Sequence, residues 1–279
     1  MEVVHDKGTT TIPSRPLRVV ALDGSLVGAV AGLDVDVVGY TLDVPELPGY
    51  FQGDRTAGGV AVGTLAEPSI ERIAALQPDL IVSSTVRHDA LYPALSRIAP
   101  TVFTATTGPT WKDNIRLVAQ ALGRSRSAEE QLPAYEARAR AVGAAIAAGS
   151  ADPTISLVRF VGPGKPARLY GNASFPGIVL ADAGLARPAV QDVDEFMVEI
   201  SPEQIELAEG DRIFYTDPAL DENASDTSMA DFTGNDLWNR LTGEKTAVAD
   251  DRWYSSVSVQ GAHLILDDLA AAFGVDPQV

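Results

Sequence analysis

Short apolar runs recur along this chain with helix-like stretches between them, and no other feature narrows the fold as far. Arg18-Val19-Val20-Ala21-Leu22 is a β-branched run that leads through Gly24 into a helical stretch over 26–33. The pattern returns as strand-like 35–40, helical 70–76, strand-like 80–83, helical 91–98 and strand-like 101–104. Continuous apolar strands that alternate with helices predict mostly parallel sheets covered on both faces. The middle of the chain breaks the rhythm. From Ser127 to Gly149 it is rich in Ala, Glu and Arg, and Ser127-Ala128-Glu129-Glu130 fits a capping box opening a helix of about 30 Å. Pro133 lies too far inside that stretch to be harmless, which predicts a kink or a restart. Alternation resumes with Ile155-Ser156-Leu157-Val158-Arg159-Phe160-Val161. The expected fold class is α/β: two Rossmann-like lobes with mostly parallel sheets joined by one long helix. The expected boundaries are 1–126 for the N-terminal lobe, 127–149 for the interlobe helix and 150–279 for the C-terminal lobe.

An internal echo supports that division. The segment from Pro68 to Val82 aligns with the segment from Ile200 to Phe214, matching Glu71 with Glu203, Ile73 with Ile205, Asp79 with Asp211 and Ile81 with Ile213. Each copy reads as a short helix, a turn and a buried strand, so each glutamate falls in a first helical turn, where the macrodipole favours an anion. The residues alone leave open whether these glutamates cap helices or serve a partner.

Charge and composition remove whole classes of function. With 38 acidic and 21 basic side chains the formal charge is −17, which repels a phosphate backbone and excludes nucleic acid as a partner. There are no cysteines, hence no disulfides, thiolate metal sites or cysteine nucleophiles. No apolar run approaches the roughly eighteen residues of a membrane span. The start, Met1-Glu2-Val3-Val4-His5-Asp6-Lys7-Gly8, is polar rather than a signal peptide. No glycine-rich dinucleotide fingerprint, P-loop, HExxH or GxSxG motif is present, and a hydrolase using Ser174 would need a base that the sequence does not supply.

The opening His5-Asp6-Lys7-Gly8-Thr9-Thr10-Thr11-Ile12-Pro13 and the following Pro16-Leu17-Arg18-Val19-Val20-Ala21-Leu22 resemble the start of mature iron-siderophore binding proteins, the helical-backbone or class III periplasmic binding proteins of ABC transporters that take ferric hydroxamates or ferric citrate. Glu71 to Ile81 is similar to that family's first-lobe signature, and Tyr92 to Val102 continues it. Leu169-Tyr170-Gly171-Asn172-Ala173-Ser174-Phe175-Pro176-Gly177 and Asp182-Ala183-Gly184-Leu185 add second-lobe matches. The resemblance covers nearly the whole chain in order. It implies a bilobal binding protein, not an enzyme, with a cleft between lobes, a rigid connecting helix and delivery to a membrane permease. It also implies that Glu71 and Glu203 dock onto permease arginines, with Glu67 or Glu206 able to substitute. An extracytoplasmic monomer is expected, its export signal, with a lipid anchor, removed ahead of Met1 and giving its sole link to a membrane.

Ligands of doubly wound lobes sit beyond the carboxyl ends of the strands, so the candidates follow each apolar run. They are Arg87 and His88 after 80–82, Trp111 after 102–103, Arg168 and Tyr170 after 160–161, and Trp253 and Tyr254 after 248–249. Iron(III) wrapped by a chelator's own oxygens asks for no His/Asp/Glu cluster and no separate cofactor or protein metal site. Such a complex is gripped from outside, by planar guanidinium donors on its oxygens and by rings on its carbon faces. Arg87 leads this set because similar family members place an arginine after this strand. The aromatics divide between cleft wall and core, His88 between cleft and surface, while Trp238 and His263 read as structural and Tyr50 and Phe51 as a possible rim. A ferric siderophore is the expected cargo, with hydroxamates favoured because neutral or cationic complexes suit an acidic protein. Haem, cobalamin or another metal chelate is the alternative cargo, and an α/β hydrolase-like enzyme is the rival class.

Overall fold

The computed structural model describes every residue except 14, 43–46, 48–50, 52, 54, 150–151, 222–225 and 278–279. Tyr50 therefore lies outside the described residues. The chain divides into two compact units, Met1–Pro133 with Ser256–Gly261, and Ala134–Ser255 with Ala262–Val279.

The first unit opens with an antiparallel hairpin, β1 (Glu2–His5) and β2 (Gly8–Thr11). Its main elements follow as β3 (Val19–Ala21), α1 (Gly24–Gly32), β4 (Val37–Leu42), β5 (Val60–Thr64), α2 (Ile70–Ala75), β6 (Leu80–Ser84), α3 (Thr85–His88), α4 (Tyr92–Leu95), β7 (Thr101–Thr104) and α5 (Trp111–Ala121). The five strands of the main sheet lie in the order β5-β4-β3-β6-β7, and every pairing is parallel. The apolar runs predicted as strands are the buried ones: all residues of β3, β6 and β7 are buried, as strands covered on both faces must be. Val20, Leu22, Val62, Ile73, Ile81 and Phe103 form the core on one face. Phe51 is buried beside Gly28 of α1 rather than on a rim.

The long helix α6 runs from Ser125 to Gly149 with Pro133 inside it. It begins two residues before the expected start, so Ser127 is not a cap; its hydroxyl instead accepts from the Gln131 amide at 3.2 Å. The helix does not restart at Pro133. Gly143 is required by close approach, since a Cβ there would stand 1.7 Å from the Ala183 carbonyl oxygen.

The second unit continues with β8 (Ile155–Arg159), β9 (Ala167–Tyr170), α7 (Phe175–Asp182), β10 (Met197–Ile200), a 3-10 helix at Pro202–Ala208, β11 (Arg212–Thr216), α8 (Met229–Thr233), α9 (Asp236–Arg240), β12 (Glu244–Val248) and α10 (Val259–Phe273). Its sheet order is β10-β9-β8-β11-β12, the same arrangement relative to chain order as in the first unit. One strand differs: β9 runs antiparallel to both of its neighbours. Val158, Phe160, Leu169, Ile205, Ile213 and Trp238 pack together in the core. The fold is thus α/β with two mostly parallel sheets and one long helix between them in the chain. Among the described residues no helix is long and apolar enough to cross a membrane.

Candidate ligand-binding site

In both sheets the chain reverses its order of strand addition beside the first strand, between β3 and β6 in one unit and between β8 and β11 in the other. The carboxyl ends of those strands frame the crevice where doubly wound folds bind ligands.

In the first unit Asp23 follows β3 and Arg87 follows β6, so the two stand on either side of that crevice. Asp23 is nearly buried because it caps α1, accepting from the Ser25 backbone N–H at 2.9 Å and the Ser25 hydroxyl at 2.5 Å. Arg87 donates its Nε to the same carboxylate at 3.2 Å, and its side chain keeps 44% of its exposure. Val86 beside it is 59% exposed. His88 has a different place. It is buried, its Nε2 donating to the Leu65 carbonyl at 2.7 Å and its Nδ1 accepting from the Ser83 hydroxyl at 2.7 Å. A carbonyl can only accept, so the ring is the neutral Nε2–H tautomer, and burial lowers its pKa. This histidine braces the turn that carries Arg87 instead of facing solvent. Trp111 is also interior, 2% exposed at the start of α5.

In the second unit the centre of the cluster is Arg159, the last residue of β8, which the sequence displayed only as a charge inside an apolar run. Its Nε and Nη2 donate to the two oxygens of Asp250 at 2.5 and 2.7 Å, and its Nη1 donates to the Tyr170 hydroxyl at 2.8 Å. The guanidinium carbon lies 5.1 Å from the Tyr254 ring centroid and 5.9 Å from that of Tyr170. Burial works against this charge, but Asp250 and Tyr170 outweigh it and hold the pKa above the ordinary arginine value. The two tyrosine rings pack with centroids 4.6 Å apart, and Phe196, 41% exposed, lies 5.2 Å from Tyr170. Arg168 pairs across the strands with Arg159 and faces Glu199 at 3.5 Å. Burial pushes the Tyr254 hydroxyl well above its usual pKa. Trp253 is not part of this surface: it is fully buried, stacked on Phe214 at 4.9 Å, with its indole N–H donated to Asp268 at 2.8 Å.

Of the seven residues expected to meet ligand, the fold therefore gathers Arg168, Tyr170 and Tyr254 around Arg159, with both tyrosines themselves buried, sets Arg87 at the first unit's crevice, and places His88, Trp111 and Trp253 inside. The interior three follow strand ends as expected, but position after a strand does not fix which way a side chain turns. Among the described residues, no group of three or more His, Asp or Glu could hold a metal ion.

The echoed glutamates are both exposed in first helical turns, and neither is the cap. Ser69 caps α2, its hydroxyl accepting from the Arg72 backbone N–H at 3.3 Å and lying 3.2 Å from Glu71 Oε2. Ser201 and Gln204 form a capping box on the 3-10 helix. The Ser201 hydroxyl, followed by a backbone N–H, holds the Glu203 carboxyl below its usual range.

YfiY, a probable siderophore-binding lipoprotein of Bacillus subtilis (strain 168), is 31% identical over 285 residues, covering 97% of this chain and 87% of that protein. The Fe(3+)-citrate-binding protein YfmC of the same organism is 28% identical over 258 residues, covering 89% and 77%. The crystal structure of Staphylococcus aureus SirA complexed with staphyloferrin B has 29% identity and a TM-score of 0.86, covering 100% of both chains. The periplasmic binding protein family matches residues 19–254, from the first strand of one sheet to the tyrosine beside Arg159, and the chain belongs to that family.

Proposed function

We propose that this protein binds a ferric siderophore outside the cytoplasm and delivers it to an ABC permease for iron uptake, without transforming it. The observation that carries the reading is Arg159, held at the carboxyl end of β8 by both oxygens of Asp250 and faced by two tyrosine rings. A guanidinium fixed in this way offers planar donors to the oxygens of a chelate; the two buried rings hold it in place, and the exposed Phe196 beside Tyr170 offers carbon surface to the chelate's body. Arg168 is a further contact in this reading, and Arg87 is the candidate donor of the first unit's own crevice. Iron(III) arrives with its coordination positions filled by the chelator, so the protein supplies recognition and no metal ligand. The names of the relatives, which include siderophore and ferric citrate binders, support the same cargo class. A hydroxamate chelate suits the formal charge of −17 best, because its ferric complexes carry little or no negative charge.

Titrating tryptophan fluorescence with ferric and iron-free chelators tests the proposal. One ferric class should quench at sub-micromolar concentration, and Arg87→Ala should weaken that binding about tenfold or more while leaving the thermal transition in place, whereas Arg159→Ala should weaken it likewise and lower the transition as well, because Asp250 loses its partner. Silence across the panel would sink the reading.

Glu71 and Glu203 are proposed as the contacts to the permease, in a protein anchored by lipid and working as a monomer. Both carboxylates are exposed and lie in equivalent turns of the repeat. Glu71→Ala with Glu203→Ala should leave chelate affinity unchanged and reduce uptake into cells; normal uptake by the double variant rejects the docking role.

A further inference from the structure

Each unit's strand-end arginine comes with its own carboxylate, and nothing in the binding reading requires that. Asp23 is almost wholly buried, with its side chain 7% exposed, and faces Arg87, while Asp250, 24% exposed, clamps Arg159 with two hydrogen bonds. An arginine whose task was to attract a polyanion would be left with its charge uncompensated, because a carboxylate at contact distance cancels most of the field felt a few ångströms beyond it. Here the charge is cancelled in both units while the donor geometry is kept. Arg87 is held through Nε alone, so among the described residues no hydrogen bond occupies its two Nη groups. The second unit carries the same bias further. Asp217 lies just past β11, and Asp251 follows Asp250, its backbone N–H donating to Asp221 at 3.2 Å. Burial raises the pKa of Asp221, consistent with carboxylates crowded near one another.

Resting on the siderophore-binding reading, we infer that Asp23 and Asp250 are specificity-determining residues, each within its own unit: by neutralising Arg87 in one and Arg159 in the other they favour ferric chelates of little or no negative charge over polyanionic ones. The arginines then act as oriented donors to chelate oxygens, and the carboxylates decide which net charge is tolerated. The selection is one of repulsion as much as attraction, since in either unit a polyanion must displace or approach a fixed carboxylate.

The isosteric variants Asp23→Asn and Asp250→Asn test this. The asparagine oxygen still caps α1 at position 23 and still accepts one Arg159 hydrogen bond at position 250, while its amide NH2 faces the second arginine donor, so each variant removes one negative charge and one hydrogen bond and its thermal transition is measured alongside. Affinities of the wild type and each variant would be measured for three ferric complexes, cationic ferrioxamine B, neutral ferrichrome and anionic ferric dicitrate, at low and high salt. Removing one carboxylate should improve the dicitrate affinity relative to that for ferrichrome by about fivefold at low salt, from the Coulomb energy of one charge several ångströms away, and the gain should shrink as salt rises. An unchanged ratio in both variants, with wild-type binding intact, overturns the specificity role and leaves the binding reading standing. A wild type that binds none of the wider chelate panel overturns the binding reading, and this inference with it. Should Asp23→Asn fail to fold, Asp250→Asn in the other unit decides the question by itself.

Discussion

Asp79 in the first unit accepts from the backbone N–H groups of Leu17 and Arg18, both at 3.0 Å, while Asp211 in the second accepts from the Thr154 backbone N–H at 2.8 Å and the Thr154 hydroxyl at 2.7 Å. Each carboxylate pins the chain just before the first strand of its own sheet. The return bonds reach equivalent residues by different atoms: the Asp79 N–H donates to the Arg18 carbonyl, and the Asp211 N–H donates to the Thr154 hydroxyl at 3.1 Å. Around this shared joint the units diverge. The helix before it is α-helical in one copy and 3-10 in the other. The second strand in chain order is parallel in the first sheet and reversed in the second, where the turn through Gly164, at φ 65°, brings β9 back alongside β8. That reversal sets Arg168 opposite Arg159 and puts Tyr170 on the same face. The repeat thus preserves the joint between turn and strand, and the cluster around Arg159 is built where the two copies differ.

The joint is where the comparison can be broken with the largest effect. Asp79→Ala and Asp211→Ala should each cost about 1 kcal/mol, the range for losing hydrogen bonds to a charged group at a solvent-exposed site. Asp211→Ala should be the more costly, because its hydrogen bonds to Thr154 hold its carboxyl below the usual pKa and favour the charged form. Urea unfolding of the two variants measures this. A loss near zero for one and a full loss for the other would show that the two aspartates match in sequence only.

Much of this division could be read from the chain. The apolar runs marked the strands, the echo paired Asp79 with Asp211 and Glu71 with Glu203, and the long helix stood out by composition. What escaped did so for physical reasons. Arg159 sits in a run whose other members are buried, and only the fold reveals that it is the strand's last residue with Asp250 within reach. Trp253 and Tyr254 are neighbours in sequence, yet one stacks into the core and the other joins the arginine, because adjacent residues on a helical turn point in different directions. Asp23 is a helix cap by position, and its second role facing Arg87 depends on β6 lying beside β3.

The histidines offer a smaller and sharper test of the same comparison, since each unit holds one whose acceptor nitrogen faces groups that can only donate. In the first unit His5 Nδ1 lies 3.2 Å from the Lys7 N–H and 3.3 Å from the Phe103 N–H; in the second His263 Nδ1 lies 3.0 Å from Arg138 Nη1. Protonating either ring would set donor against donor, and burial lowers both pKa values from the ordinary 6.5, with Arg138 adding to the effect at His263. His88 is more forgiving, because the Ser83 hydroxyl can turn to accept from a protonated ring. With folded pKa values below 6.5, the unfolded chain binds more protons as pH falls through that value, so the stabilisation from these rings is complete above about pH 6.5 and is lost on acidification. His5→Asn and His263→Asn keep an acceptor at the same place and cannot take up the proton. Each should flatten the dependence of the urea midpoint between about pH 7.5 and pH 5 without abolishing it, because the other unit's ring still titrates. A slope identical to the wild type in both variants would move the origin of acid sensitivity from these rings to the carboxylates.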